Sequence, residues 1–167
     1  MGRFSDWIRL LRVYKWTKNA LVLMPLVFAQ QLLNPEAAVR SLLATVAFCL
    51  ASSATYIVND LRDRESDRNH PTKRMRPLAS DAVAPVPASL FSAALLVLSL
   101  ALAFHLNWAF LLSLLTYLAL TASYSFFLKD LFIVDVIAVA LGFVVRAIAG
   151  AVVIDVAPGG QKYPTAQ

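Results

Sequence analysis

The sequence predicts an all-α fold, a polytopic transmembrane helical bundle of about five spans. Three observations carry that expectation. Of 167 residues, 59% are hydrophobic and only 15% are charged, whereas soluble domains carry roughly 25% charged residues. The mean hydropathy is +0.67. No formally charged side chain occurs from Ala82 to Leu128, and the basic residues gather in alternate connecting segments. The composition argues against a soluble domain and excludes a disordered chain, a disulfide scaffold and a coiled coil. The single cysteine, Cys49, allows no intrachain disulfide and reads as a small buried hydrophobe. Lys+Arg exceed Asp+Glu by 15 to 10, a net charge of +5. Because that excess sits between apolar runs, it points to membrane topology and away from nucleic acid.

Residues 1–18 open the chain. Phe4, Trp7, Ile8 and Leu11 recur at helical spacing, flanked by Arg3, Arg9 and Arg12. This pattern suits a helix lying in the headgroup layer, although the first few residues equally suit a disordered basic tail. The basic stretch is too long, and too rich in tryptophan, for a cleaved signal peptide. Residues 19–154 then form the membrane domain. Its spans are expected at Trp16–Leu33, Ser41–Val58, Val86–Phe104, Trp108–Leu128 and Leu131–Ile154. His105-Leu106-Asn107 divides the long uncharged stretch, since a bilayer needs only about 20 helical residues.

Arg3, Arg9, Arg12, Lys15 and Lys18 precede the first span, and only Arg40 follows it. Arg62, Arg64, Arg68, Lys73, Arg74 and Arg76 fill the 59–81 segment, the His105 turn has none, and Lys129 follows the fourth span. The positive-inside rule then puts the N-terminus, the 59–81 loop and Lys129 in the cytoplasm. Residues 155–167 read as a polar tail.

The 59–81 loop carries the chemistry. In Asn59-Asp60-Leu61-Arg62-Asp63-Arg64-Glu65-Ser66-Asp67, the aspartates Asp60, Asp63 and Asp67 are spaced i, i+3, i+7. On one helix they fall within about 60° of arc. Like charges there repel, and a hard divalent cation such as Mg²⁺ would relieve them while leaving coordination positions for phosphate oxygens. The plainer alternative is a solvated loop whose arginines pair the acids. His70-Pro71-Thr72-Lys73-Arg74-Met75-Arg76-Pro77 follows. Prolines stiffen it, and Lys and Arg suit phosphate; a topogenic loop attracted to anionic lipid is the alternative. His70 reads as structuring the loop.

In the last span, Asp135 and Arg146 lie three turns apart, on a face shared with Ala138, Gly142 and Ala149. Charges there are expensive in lipid, so this face should turn inward. The alternative leaves Asp135 at the interface and Arg146 in a structural pair. Tyr124, Ser125 and Lys129 close the preceding span, where Tyr and Lys are also ordinary interface anchors.

Together these residues resemble the UbiA superfamily of membrane prenyltransferases. Asn59, Asp60, Asp63 and Asp67 match its N-D-x-x-D-x-x-x-D motif. Within it, the resemblance is to the decaprenyl-phosphate phosphoribosyltransferase branch. It rests on Tyr14-Lys15-Trp16-Thr17-Lys18-Asn19, on the His70–Pro77 stretch, on Tyr124-Ser125-Phe126-Phe127-Leu128-Lys129, and on the Asp135–Ala151 helix.

The resemblance implies a Mg²⁺-dependent transferase of a bacterial plasma membrane, serving cell-wall synthesis. Phosphoribosyl diphosphate and a polyprenyl phosphate would give polyprenylphosphoryl phosphoribose and diphosphate. Asn59, Asp60, Asp63 and Asp67 would be catalytic, the three aspartates holding the metal. Lys18, Asn19, Lys73, Arg76, Tyr124, Lys129, Asp135 and Arg146 would bind substrate. The sister branches instead move a prenyl group from its diphosphate to an aromatic acceptor. A non-catalytic remnant or subunit is a further alternative.

The family has nearly twice as many spans and a second polar cluster in its later half. This chain is therefore expected to turn over little alone, and exposed Asp135 and Arg146 should destabilise it or drive it to associate, as in a homo-oligomer. It also carries Ser80-Asp81 where the family has a small residue and then glycine.

Overall fold

The computed structural model describes residues 4–125 and 132–154, the side chains from 136 onward in the second stretch. The expected tail at 155–167, Lys129 and the Asp135 side chain lie outside this set. The helical elements among the described residues run in the order α1 (Phe4–Leu11), a 3-10 segment (Val13–Leu23), α2 (Met24–Phe28), α3 (Pro35–Arg62), α4 (Arg64–Arg68), a 3-10 turn (Lys73–Met75), α5 (Pro85–Leu106), α6 (Trp108–Ser123) and α7 (Phe132–Ile154). Helices α3 and α5, and α7 over residues 136–154, are long and apolar enough to cross a bilayer; α6 is shorter.

The first expected span departs from a plain α-helix. Pro25 has no N–H to close an α-type bond on Leu21, and the Met24 N–H takes the Leu21 carbonyl instead. Upstream of it, the chain winds as a 3-10 segment, far longer than such runs usually are. The expected boundary at residue 18 falls inside it.

Helix α3 is the central element. Asn34 caps it, its side-chain oxygen accepting from the Glu36 and Ala37 amides at 3.1 and 3.3 Å. Ala44, Ala47, Ala51 and Ala54 are buried along it. Small residues let α5 approach closely. Ser92 Oγ donates to the Ala54 carbonyl at 3.0 Å and Ser99 Oγ to the Ala47 carbonyl at 2.8 Å. The break expected at His105–Asn107 is present. Asn107 is extended, accepts from the Phe110 amide at 2.7 Å and starts α6.

Helix α1 docks on this frame. Leu10 is buried and Trp7 meets Phe91 edge-on at 5.2 Å, while Phe4 and Ile8 remain exposed. Only part of its apolar face is therefore left outward. On the other side, Gly150 of α7 touches the Val22 carbonyl of the 3-10 segment so closely that a Cβ there would overlap it.

Candidate functional site

The acidic motif lies where α3 ends. The helix stops at Arg62, Asp63 is its C-cap, and α4 starts at Arg64. The motif is thus two helices with a break at Asp63, not one continuous turn. Asp60 and Asp67 are nonetheless brought together, both buried. Arg76 joins them, its Nη1 lying 3.1 Å from Asp60 Oδ1 and 2.6 Å from Asp67 Oδ2. Arg12 Nη2 donates to the same Asp60 oxygen at 2.5 Å. Glu65 is exposed, off this cluster.

Arg12 was read from sequence only as a topogenic charge, so its role at the site was missed. Its backbone is left-handed, at φ 52° and ψ 46°, which costs an L-residue about 1–2 kcal/mol. Tertiary contacts hold it there. Ser53 Oγ donates to the neighbouring Leu11 carbonyl at 2.8 Å and accepts from Trp16 Nε1 at 3.0 Å. The guanidinium also lies over the Tyr56 ring, 5.0 Å from its centroid.

The basic loop is fastened by its own residues. His70 Nδ1 accepts from the Thr72 and Lys73 amides at 3.2 and 3.3 Å, the structuring role expected of it. Asp81, in the position where glycine was expected, is left-handed at φ 58°. Arg64 and Arg68 both donate to its carboxylate. Those hydrogen bonds hold its carboxyl below the usual carboxylate range. Aspartate tolerates this backbone better than most residues, and the ion pairs fasten it there.

A second group lies within the bundle. Arg146 is buried, with Nε donating to Asn19 Oδ1 at 2.8 Å, Nη1 to the Gly142 carbonyl at 2.7 Å and Nη2 to the Tyr117 hydroxyl at 3.2 Å. Asn19 in turn donates to Ser52 Oγ at 3.2 Å. Among the described residues no carboxylate pairs with Arg146. It lines a chamber of about 190 Å³ with Lys18, Tyr56, Asn59, Tyr117 and Tyr124. Adjacent motif residues thus point to different places. Asn59 opens on this chamber and donates to Ser125 Oγ at 3.1 Å, while Asp60 turns to the arginine pair. Arg146 and Ala149 turn inward, as the shared face implied, but Arg146 is not left exposed as was expected of the isolated chain: Asn19, Gly142 and Tyr117 surround its guanidinium.

A cleft of about 540 Å³ lies on the far side of Asp60, between α1 and the basic loop, with Lys73 and Arg76 on its wall. Among the described residues no group of three His, Cys, Asp or Glu side chains is arranged to hold a metal ion. The donor set still suits Mg²⁺. Asp60 and Asp67 are buried carboxylates, hard-oxygen donors by type, already sharing one cation, the Arg76 guanidinium, with Asp63 next to them in the motif.

Comparison with known proteins accords with this geometry. The model of the UbiA prenyltransferase family matches residues 20–160. The decaprenyl-phosphate phosphoribosyltransferase of Mycolicibacterium smegmatis is 38% identical over 156 residues, covering 91% of this chain and 49% of that protein. Its counterpart in Corynebacterium glutamicum is 40% identical over 149 residues, covering 87% and 45%. This chain therefore spans about half the length of these relatives. The solved structure of a UbiA homologue from Archaeoglobus fulgidus bound to GPP and Mg²⁺ superposes with a TM-score of 0.72 at 28% identity, covering 95% of this chain and 56% of the other. Matched over most of its length and folded as a membrane helical bundle, the chain belongs to the UbiA prenyltransferase family.

Proposed function

We propose that this chain carries the diphosphate-binding part of a magnesium-assisted phosphoribosyl transferase acting on a polyprenyl phosphate. The observation that carries the reading is Arg146, a buried guanidinium with no carboxylate partner among the described residues, on the chamber that Asn59 also lines. An uncompensated cation within a bilayer is costly, and an anionic substrate offsets it. The relatives named as decaprenyl-phosphate phosphoribosyltransferases favour phosphoribosyl over prenyl transfer.

In this reading Asp60, Asp63 and Asp67 would hold Mg²⁺, which would neutralise a departing diphosphate when bound. Arg76 and Arg12, which lie against those carboxylates, would donate to phosphate oxygens. A phosphate oxygen of the polyprenyl carrier bonds to the ribose anomeric carbon. The bond from that carbon to diphosphate breaks, and diphosphate leaves with the electron pair. Arg146, Lys18 and Tyr124 orient the anion that reaches the chamber and keep water from competing for it. The N-terminus and the 59–81 loop face the cytoplasm in this arrangement, where a soluble sugar diphosphate is available.

Calorimetric titration of pyrophosphate into the purified chain, with and without Mg²⁺, tests the site. Binding should require Mg²⁺. Asp60→Asn and Asp63→Asn should each weaken it about tenfold, and Glu65→Gln far less. Equal losses for all three, or binding indifferent to Mg²⁺, would overturn the reading in favour of bulk loop charge. Phosphoribosyl diphosphate should displace bound pyrophosphate better than geranyl diphosphate does; the reverse order would select prenyl transfer.

A further inference from the structure

Asn19 is fully buried and forms no part of the intramembrane chamber's wall, yet it touches the cation that does. Its amide is used at both ends. Oδ1 accepts from Arg146 Nε at 2.8 Å, and Nδ2 donates to Ser52 Oγ at 3.2 Å and to Cys49 Sγ at 3.3 Å. Ser52 fixes which end is which. Its hydroxyl hydrogen goes to the Cys49 carbonyl at 3.0 Å, so toward Asn19 its oxygen only accepts. The amide nitrogen therefore faces Ser52, and the amide oxygen faces Arg146.

Arg146 is thereby held without being neutralised. A guanidinium has five N–H donors. Asn19, the Gly142 carbonyl and the Tyr117 hydroxyl take three of them, and the other two have no acceptor among the described residues. The Tyr117 ring, 4.6 Å from centroid to guanidinium, also steadies the cation without cancelling its charge. No described residue lining the chamber is a carboxylate, and Lys18 adds a second cation to the wall. Stability alone would place an aspartate at position 19, because a buried guanidinium without a counter-charge is costly. A neutral amide keeps the same hydrogen bond to Nε and forgoes that compensation.

We propose that Asn19 is a positioning residue that aims the Arg146 fork at the chamber and, being neutral, leaves the charge of that fork to an anionic ligand. Asn19 itself touches no ligand; it acts through Arg146. The ligand this selects is an anion that offers oxygens to the two remaining donors, which charge-assisted hydrogen bonds to a guanidinium favour. The proposal rests on the transferase reading only for what brings that anion. Two sources share the chemistry: the phosphate head of a polyprenyl carrier, and the diphosphate of the sugar donor.

The test compares the purified chain in detergent with Asn19→Asp and Asn19→Ala, using two probes, farnesyl phosphate and Mg²⁺–pyrophosphate. The order of stability and the order of affinity should cross. Asn19→Asp should melt above Asn19→Ala, because it pairs the buried cation. Toward at least one probe, Asn19→Asp should bind about tenfold or more below the unmodified chain, and below Asn19→Ala, which keeps the charge. An asparagine that serves only folding would move stability and affinity in the same order. Loss confined to farnesyl phosphate assigns the chamber to the lipid head, loss confined to Mg²⁺–pyrophosphate assigns it to the donor, and loss of both makes it common to the two.

Three results overturn the proposal: an Asn19→Asp chain that binds both probes as well as Asn19→Ala does, an Asn19→Asp chain that melts below Asn19→Ala or does not fold, or an unmodified chain that binds neither probe. The two readings fail separately. If Mg²⁺–pyrophosphate does not bind while Asn19→Asp still loses farnesyl phosphate, the transferase reading falls and the role of Asn19 stands. If Asp60→Asn weakens pyrophosphate binding and Asn19→Asp changes neither probe, the role of Asn19 falls and the transferase reading stands.

Discussion

Gly150→Ala should be among the most damaging single-methyl changes in this protein. A Cβ at Gly150 would lie 2.9 Å from the Val22 carbonyl carbon and 3.1 Å from Pro25 Cδ, and closer still to the Val22 oxygen. All are inside ordinary contact, and backbone atoms cannot rotate away. Helix α7 would have to move off the 3-10 segment by about 1 Å. The consequence reaches Arg146, one turn earlier on α7. Its 2.8 Å bond to Asn19, which sits on the displaced segment, would open beyond hydrogen-bond length. Overpacking costs about 1–3 kcal/mol, and breaking a buried charged hydrogen bond adds about 1.5–3 kcal/mol. The two together are a large share of any domain's stability.

Gly142→Ala on the same helix is the control. Among the described residues its Cβ meets Arg146 Nη1, at 3.2 Å, the end of a side chain and not backbone. Thermal melting of both variants in detergent, followed by size-exclusion recovery, should rank Gly150→Ala far below Gly142→Ala. A Gly150→Ala protein that melts with the unmodified chain would refute the close packing of α7 on the 3-10 segment.

Other expectations follow from the same contacts. Asn19→Leu leaves the Arg146 guanidinium buried with a partner missing and should cost about 1.5–3 kcal/mol. The double change Asn19→Leu/Arg146→Met should recover much of that in a chemical-denaturation cycle; no recovery would mean that the charge is not what makes the loss large. Asp81→Gly should be milder than Asp81→Ala, since both lose the Arg64 and Arg68 pairs but glycine accepts the left-handed backbone. Because the Asp81 carboxyl is held below its unfolded value, its contribution is present above about pH 3.9 and fades as pH falls through the folded pKa. The gap between the unmodified chain and Asp81→Asn in melting scans should therefore narrow in acid. Cysteine labelling of intact cells should protect position 66 and label position 106; the opposite pattern would reverse the topology.

Much of the bundle was legible because lipid and helix geometry leave few alternatives. The uncharged stretches marked α3, α5 and α6, and His105-Leu106-Asn107 marked the break between the last two. Helix α3 begins at Pro35, under the Asn34 cap, ahead of the charge-free run from Ser41 that marked it in the sequence. Hydropathy marked the first apolar run but does not register the amide that Pro25 lacks, where the 3-10 segment gives way to α2. At the site, the acidic motif was visible as a charge pattern, but its bend at Asp63 was not. The pairings that organise it join residues distant in sequence, Arg12 to Asp60 and Asn19 to Arg146. No periodicity within one helix can report such pairs. Arg12 looked like any other basic residue ahead of a span. Asp81 did leave a trace, as an acid where glycine was expected, and the left-handed backbone explains the glycine.

The serine contacts between α3 and α5 bear on how the chain assembles. Hydroxyls of Ser92 and Ser99 close onto α3 carbonyls from a helix that follows it directly among the long spans. Two neighbouring spans that satisfy each other can leave the insertion machinery as a paired hairpin, before α6 and α7 have been made. The later helices then dock on a surface already formed. The amides of this hairpin should be the last to exchange with deuterium. Replacing Ser92 and Ser99 together should slow biogenesis, leaving α3 and α5 exposed longer to the quality-control proteases that survey unpaired membrane helices.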